Sequence, residues 1–445
     1  MDLKVVGQRI KSAREAKNLT QEELAALINL SPTHVSVIER GLKVTKLDTF
    51  VAIANALDVS ADTLLIDVVA HSVTGVTNEL TEKIEKLVEL ANKELPFDIE
   101  LTWPSDYNQT LVARFAAKDY PEIYNTETYM WNKLYADQSM VLDGCSFWND
   151  LDSGIFSGIE ATDGSKIAVP GYTQAYGIIY NVEALKSVGY ESVPTTLSEF
   201  RALCETLTAA GYDPIAPTQM EDWTTRQLWL FPWGYDKNLE DTYEKMTTGE
   251  LLPADVDWIN KEIDFLDLYK EYVGQKAFDD SSDTAIAKVV AGKAAMMVQG
   301  DWELSAASGI DDSVALGMAG IPISEDENDC KIYYSLGTCT HVCAQADDAE
   351  LGKQFIEWWY TSDTALDWWV NIFAKAHCFT ELDQTVNPGM AQALELVKAG
   401  HAGGWGSEVV PEEVVTEITP LCEMYILGEI DRTEYLSMMA EKIAG

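Results

Sequence analysis

Helix-capping signals near the N-terminus constrain the fold of this 445-residue chain more than any other feature. Thr20 stands directly before QEELAALI, with Glu23 three residues on, and this spacing predicts a capping box at the start of a helix. Residues 29–30 then turn the chain, and Ser31 precedes a second helical stretch, PTHVSVIER, that ends at Gly41. Two short helices joined by a tight turn predict a helix-turn-helix arrangement.

Three further stretches with helical spacing surround this pair. Val6, Ile10 and Ala13 fall on one face of a helix before it, and LDTFVAIANAL and SADTLLI follow it. The sequence therefore predicts an all-α domain of five helices over residues 1–67.

The charge of the chain changes sign after this domain. The whole sequence has 31 Lys and Arg against 73 Asp and Glu, a net charge of −42, whereas residues 1–46 hold eight bases against five acids. Most of the surface should therefore repel polyanions. The opposite charges indicate that the two parts of the chain have different roles.

Residues 3 to about 66 closely resemble the XRE, or Cro/C1-type, DNA-binding domain through the stretches TQEELAALINLSPTHVSVIERG and ALDVSADTLL. The resemblance implies that the third helix lies in the major groove of DNA. The side chains then expected at the DNA are Thr33, His34 and Ser36 at base edges and Gln21, Lys43 and Lys46 at phosphates. The alternative for His34 is a solvated surface position. Arg14 and Glu39 match a pair that is usually a structural ion pair in that family.

Helices and strands alternate beyond residue 67. The pattern predicts helix 79–94, strand 97–102, helix 107–118 and strand 121–125, followed by strands at IAVPG and YGIIYN. Strands interleaved with helices predict an α/β domain with ligand sites at the carboxyl ends of the strands.

Residues 76–445 resemble the family 1 extracellular solute-binding proteins, the carbohydrate-binding subunits of ABC importers. The resemblance rests on KIAVPGYTQAYGIIYNVEALKSVGYESVPTTLSEFRALCETLTAAGYDPI, VVAGKAAMMVQGDW, LGKQFIEWWYTSDTALDWW and YILGEIDRTEYLSMMAEKIA, which occur in the family's order. It implies a two-lobed, periplasmic-binding-protein-like fold of type II whose lobes close on a ligand. The expected lobes are about 70–170 with 339–377, and 175–335 with 380–445, and the expected hinges are 170–174, 335–338 and 377–380.

The start of this second domain departs from the family. Members begin with a strand and a ligand-binding loop, and here the connector, residues 68–80, occupies that place. Val68, Val69 and Val73 form either a short strand or part of a continued fifth helix. The sequence leaves open whether the family's first ligand-binding loop exists in this chain.

Sugar recognition combines aromatic ring faces with a few polar groups for the hydroxyls. The residues that the resemblance implies at the cleft are Trp302, Asp301, Trp223, Gln174, Tyr176, Glu127, Tyr129, Trp131 and Trp405. For Trp302 the alternative is packing in the core or at the rim. Packing, not ligand contact, is expected for Trp358, Trp359, Trp368 and Trp369, which lie within one helical stretch.

The sequence predicts no metal, cofactor or catalytic residue. Cys339, His341 and Cys343 alternate along one strand, but such ligands spread over roughly 13 Å, too far for one ion. No nucleotide-binding loop, GxSxG turn or HExxH helix occurs.

Localisation follows from segments that the sequence lacks. No apolar run approaches the roughly 18 to 20 residues of a membrane span, the N-terminus has no signal-peptide pattern, and the seven cysteines are scattered. We therefore expect a cytoplasmic chain with reduced thiols and no membrane contact.

Three hypotheses remain for function. In the first, the chain is a transcriptional regulator that senses a small carbohydrate and binds an inverted-repeat operator as a homodimer. In the second, it is a non-enzymatic carbohydrate-binding scaffold whose helix-turn-helix contacts protein. The third, a carbohydrate-processing enzyme, rests only on the abundant carboxylates.

Overall fold

The structure, a computed structural model, describes residues 10–11, 13–14, 17, 19–28, 30–39, 47–57, 74–102, 107–126, 134–373, 375–384 and 386–445. The chain forms two compact units, Met1–Thr74 and Gly75–Gly445. Among these described residues, no helix has both the length and the apolar character needed to cross a membrane.

The N-terminal unit is helical wherever it is described. Its helices are α1 (Gln21–Leu27), α2 (Pro32–Glu39) and α3 (Leu47–Leu57). The predicted capping box is confirmed, because Thr20 Oγ1 accepts a hydrogen bond from Glu23 N at 3.1 Å and Glu23 Oε2 accepts one from Thr20 N at 2.7 Å. Ile10, Leu24 and Ile53 belong to one buried cluster that holds the helices together. The predicted fifth helix and the valines of the connector lie outside the described residues.

The second unit contains the chain's sheet. The helices that follow in chain order are α4 (Thr74–Glu94), α5 (Tyr107–Ala117), α6 (Val182–Ser187), α7 (Leu197–Ala210), α8 (Asp222–Leu230), α9 (Leu239–Thr247), α10 (Asp257–Val273), α11 (Ser282–Val290), α12 (Trp302–Ile310), α13 (Ala349–Thr361), α14 (Asp363–Asp367), α15 (Pro388–Lys398), α16 (Glu412–Leu427) and α17 (Arg432–Ala444). The strands are β1 (Ile123–Thr126), β2 (Val169–Asn181), β3 (Asp213–Ile215), β4 (Ala294–Gly300), β5 (Leu316–Ala319), β6 (Ile332–Val342) and β7 (Ala402–Gly403). The predicted α/β class is confirmed.

Two long strands, β2 and β6, organise this sheet. The strand order is β1–β6–β2–β4–β3, with β5 paired to β2 and β7 to β6. The β2–β6 pairing is antiparallel and its register shifts between Pro170 and Thr173, within the first hinge expected from the sequence. Such a shift bends a strand locally.

Different hydrophobic clusters cover the two ends of these strands. Val169 and Val342 pack with Phe147, in a group that we call the Phe147 cluster. Tyr176 and Tyr333, directly opposite each other on β2 and β6, pack in a larger group around Trp229, the Trp229 cluster. The alternation of side chains along β2 places Ala175 and Ile179 on the opposite face, in a third cluster.

The prediction of a strand at 97–102 was wrong, since this described segment is irregular. Its backbone is held instead by a side chain: Ile99 N donates to Asn92 Oδ1 at 2.7 Å, and Asn92 Nδ2 donates to Ile99 O at 3.1 Å. A groove of about 540 Å³ is lined by this segment and by β1. Strand formation requires a neighbouring strand, and residues 97–102 have no strand partner among the described residues.

Burial agrees with the prediction that four tryptophans pack in the interior. Trp358, Trp359, Trp368 and Trp369 are all buried in the Phe147 cluster, as expected. The seven cysteines all lie in the described part of the chain, where they are buried and form no disulfide with one another.

Candidate functional site

The helix-turn-helix is held by a buried ion pair. Arg14 Nε and Nη2 donate to the two oxygens of Glu39 at 2.5 and 3.0 Å, and Arg14 Nη1 donates to Leu19 O at 2.7 Å. The predicted structural pair is therefore confirmed. Gln21 Nε2 also donates to Glu39 Oε2, at 2.7 Å, so this side chain is anchored to the second helix of the motif.

The structure places only part of the expected DNA-binding set. Thr33, His34 and Ser36 lie on α2, and Ser36 is half-buried. The side chains of Thr33 and His34, and the whole of Lys43 and Lys46, lie outside the described residues. Gln21 is the first residue of α1.

In the second unit, aromatic rings gather at the end of β4. The Trp302 ring lies 6.5 Å from Trp223 at an interplanar angle of 56°, and 6.5 Å from Tyr176 at 31°. Trp223 and Trp302 are both half-buried, so part of each ring faces solvent. The Trp302 indole N–H is buried and, within the part of the chain that the structure describes, has no hydrogen-bond acceptor. Two partly exposed rings form a surface suited to a sugar ring.

Asp301 fastens the end of β4 to the long strand β2. Its Oδ1 accepts a hydrogen bond from Ala175 N at 2.9 Å, and its own N–H donates to Ala175 O at 2.9 Å. Burial raises the pKa of Asp301 to about 6, and Lys375 acts in the opposite direction. One oxygen of the carboxyl group is thus bound to the backbone of β2, one residue beyond the expected hinge.

Tyr176 and Trp405 lie beneath this surface. Tyr176 is fully buried and meets Phe231 edge-on at 5.1 Å, while Trp405 stacks on Phe231 at 4.3 Å and donates its indole N–H to Tyr333 O at 3.2 Å. With only 7% of Trp405 exposed, little of its ring is open to a ligand. In this structure, therefore, both rings are buried, and their contact with a ligand stays a prediction.

The other expected cleft residues are placed unevenly. Gln174 is half-buried on β2, where its side chain lies against Gly337 of β6. Glu127, Tyr129 and Trp131 lie outside the described residues.

Two carboxylates beside the tryptophans were not anticipated from the sequence. Glu221 and Glu303 both bind Ser282, and Glu303 Oε2 is buried without a partner among the described residues. Burial raises the pKa of Glu303 to about 7. The only sequence signal for Glu303 is its position directly after Trp302.

The Cys339–Cys343 stretch is part of the scaffold. His341 Nε2 lies 2.8 Å from Thr126 Oγ1, His341 Nδ1 lies 3.0 Å from Ser139 Oγ, and the ring stacks on Tyr124 at 4.8 Å. Both ring nitrogens are therefore engaged within the protein. No group of three candidate metal ligands occurs among the residues that the structure describes.

The family comparison decides the identity of the second domain. Residues 77–366 match the bacterial extracellular solute-binding proteins, and this match covers more than half of the chain. The chain belongs to this family. A second match, to the helix-turn-helix family, covers residues 10–64 of this solute-binding-family protein.

Two curated relatives match a short part of the chain. An uncharacterized HTH-type transcriptional regulator, y4dL, of Sinorhizobium fredii is 42% identical over 53 residues, which are 12% of this chain and 27% of that protein. The control protein C.SmaI of Serratia marcescens is 35% identical over 66 residues, 15% of this chain and 79% of that protein. This chain thus spans about a quarter of the first relative.

Solved structures match the solute-binding part. The apo form of RafE from Streptococcus pneumoniae has a TM-score of 0.70 at 17% identity, covering 82% of this chain and 95% of that one. A sugar transporter from Bacillus licheniformis in complex with stachyose has a TM-score of 0.64 at 14% identity, covering 82% and 95%. At such low identity these likenesses show the fold.

Proposed function

We propose that this solute-binding-family protein is a cytoplasmic one-component transcriptional regulator, in which a bound carbohydrate changes the affinity for DNA. The observation that carries the proposal is the presence of a helix-turn-helix match at 10–64 and a solute-binding match at 77–366 in one chain. The proposed domains are residues 1–67 and 76–445, with a connector at 68–80. No catalytic role, metal or cofactor is part of the proposal.

A small carbohydrate is the proposed ligand because of the Trp223–Trp302 pair. Partly exposed indole faces stack on the apolar faces of sugar rings. Proteins of similar fold have been solved in complex with stachyose and with raffinose. The proposed contact set consists of Trp223, Trp302, Asp301 and Gln174. Glu127, Tyr129 and Trp131, which follow β1 in the sequence, are also proposed to contact the ligand. Tyr176 and Trp405 are also part of the proposed site, where they pack in the Trp229 cluster.

Operator DNA is the proposed partner of the N-terminal domain. Thr33, His34 and Ser36 are proposed to read base edges, with Gln21, Lys43 and Lys46 at phosphates. One such motif reads few base pairs, so a homodimer on an inverted repeat is proposed, with half-sites about 10 to 10.5 bp apart or a multiple of that spacing. The net charge of −42 should weaken sequence-independent binding.

Regulation requires that the two binding events are coupled. A factor by which the sugar changes operator affinity must equal the factor by which the operator changes sugar affinity. Allosteric couplings of this kind are about 1 to 3 kcal/mol, or about 5- to 150-fold.

The test measures both affinities on the full-length protein. Raffinose and an oligosaccharide panel are screened by thermal shift, and operator binding is then titrated by fluorescence anisotropy with and without the sugar that binds. We expect Trp302→Ala to abolish the thermal shift and Trp148→Ala to preserve it, because Trp148 is another half-buried tryptophan whose indole donates to Leu142 O in the Phe147 cluster. Operator affinity that stays unchanged at saturating sugar would exclude the regulatory proposal.

A further inference from the structure

Ser282, the first residue of α11, is bound by two carboxylates from different parts of the chain. Its backbone N–H donates to Glu221 Oε2 at 3.1 Å, and its Oγ donates to Glu303 Oε1 at 2.5 Å. Ser282 is 3% exposed and Glu303 4% exposed. Hydrogen bonds to charged acceptors in such buried surroundings are stronger than those between neutral groups.

Each of these carboxylates is next to one of the paired tryptophans. Glu221 lies two residues before Trp223, at the start of α8, and Glu303 follows Trp302 directly, in the first turn of α12. The two segments come from distant parts of the sequence, and Ser282 bridges them. The indole rings on these two segments are separated by 6.5 Å and tilted by 56°.

We propose that Ser282 is the positioning residue of the Trp223–Trp302 pair, and that the clamp formed by Glu221, Ser282 and Glu303 sets the ring geometry on which sugar affinity depends. The part concerning sugar affinity rests on the proposed function. The part concerning ring geometry does not.

The clamp is built from groups that make it sensitive to pH near neutrality. Burial raises the pKa of Glu303 to about 7, the Ser282 hydroxyl acts against this shift, and the acids Asp283 and Glu221 add to it. Lys288 of α11 forms an ion pair with Asp280, which precedes this helix. Above this pKa, Glu303 acquires a charge, which strengthens its hydrogen bond from Ser282 and adds repulsion from Asp283 and Glu221. The ring geometry should therefore change over the range in which Glu303 titrates.

The first measurement needs no ligand. Near-ultraviolet circular dichroism of the full-length protein is recorded from pH 5.5 to 8.5, and the spectrum of Trp223→Phe is subtracted to isolate the signal of the pair. We expect this difference signal to titrate near pH 7 in the natural protein, to lose that titration in Glu303→Gln, and to be reduced in Ser282→Ala. Ser282→Thr, which keeps the hydroxyl, should restore it.

Ser281→Ala is the matched control. Ser281 is the N-cap of the same helix and its hydroxyl accepts from Thr284 N at 3.2 Å, so its loss lowers helix stability without touching the clamp. The difference signal should survive in this variant. A Ser281→Ala spectrum as altered as that of Ser282→Ala would overturn the proposal, because a general loss of helix order would then explain both.

The second measurement is the affinity for raffinose, or for whichever oligosaccharide of the panel binds. We expect Ser282→Ala to weaken binding by about tenfold, the size of one lost buried charge-assisted hydrogen bond, and to have little further effect in a Trp223→Ala background. If no sugar binds the natural protein while the spectral results hold, the proposed function fails and the clamp stands. If the spectra of Ser282→Ala and Glu303→Gln match the natural protein at every pH, the clamp is refuted, whatever binds.

Discussion

Removing the Glu39 carboxylate takes away two hydrogen bonds from the Arg14 guanidinium and the acceptor of the Gln21 amide. Only 8% of the Arg14 side chain and 1% of the Glu39 side chain are exposed, so water cannot replace the lost partner without opening the helices. Breaking a buried pair by removing one member costs about 3 to 5 kcal/mol. A helical domain of this size has a total stability of about the same magnitude. Glu39→Ala should therefore leave most of the N-terminal domain unfolded at 25 °C.

Replacing both members should have a much smaller effect. In Arg14→Met with Glu39→Leu, no charge remains buried without its partner, and such exchanges are often neutral or stabilising. Glu22→Ala is the control, since this carboxylate lies on the exposed face of α1 and its removal should change the free energy of unfolding by only a few tenths of a kcal/mol.

Hydrogen exchange with mass spectrometry on the full-length protein separates the two domains. Peptides from α1 to α3 should lose protection in Glu39→Ala, while peptides from β4 serve as an internal reference. All 13 tryptophans lie at or beyond Trp103, so thermal unfolding followed by tryptophan fluorescence should remain as in the natural protein. Full protection of α1 to α3 in Glu39→Ala, or a double variant as damaged as the single one, would refute the reasoning.

Further predictions concern buried groups of the second domain. Burial raises the pKa of Glu262 well above its usual range, so stability should fall as the pH rises above about 4, and Glu262→Gln should flatten this decline in thermal denaturation measured from pH 5 to 8. Burial lowers the pKa of His341 to about 3, so its stabilising contribution is present above the unfolded pKa of about 6.5 and is lost as the pH falls. Urea unfolding should show a loss of about 2 kcal/mol from this group between pH 6.5 and 5, absent in His341→Gln, and an equal loss in that variant would contradict its assignment. Asn92→Ala should cost about 1 to 3 kcal/mol in the same assay, because both hydrogen bonds to Ile99 disappear, and an unchanged midpoint would show that water replaces them.

The features that the sequence predicted correctly depend on short spacing or on an established motif. The capping box of Thr20 and Glu23 spans three residues, so its geometry follows from the helix itself. The Arg14–Glu39 pair was expected from the helix-turn-helix resemblance, not from spacing. The four tryptophans of residues 358–369 were assigned to packing because they crowd one helical stretch, and all are buried.

The features that the sequence missed depend on contacts between distant segments. Residues 97–102 have the composition of a strand, yet a strand forms only beside a partner, and the segment bonds to Asn92 instead. Ser282 is separated by 61 residues from Glu221 and by 21 from Glu303. Trp302 and Trp405 are the same residue type, so the sequence does not distinguish their surroundings. The structure places Trp405 in the core, where its ring stacks on Phe231.

The alkylation rates of the seven buried thiols report on local opening of the structure. Burial raises the pKa of Cys145 and of Cys204 to about 12, so neither thiol reacts readily with an alkylating reagent while the fold is closed. Cys145 lies in the Phe147 cluster, and Cys204 and Cys422 lie in the Trp229 cluster. Alkylation therefore proceeds at the rate at which each cluster opens. Mass spectrometry of the modified cysteines in the unaltered protein would time the opening of one end of the long strands separately from the other.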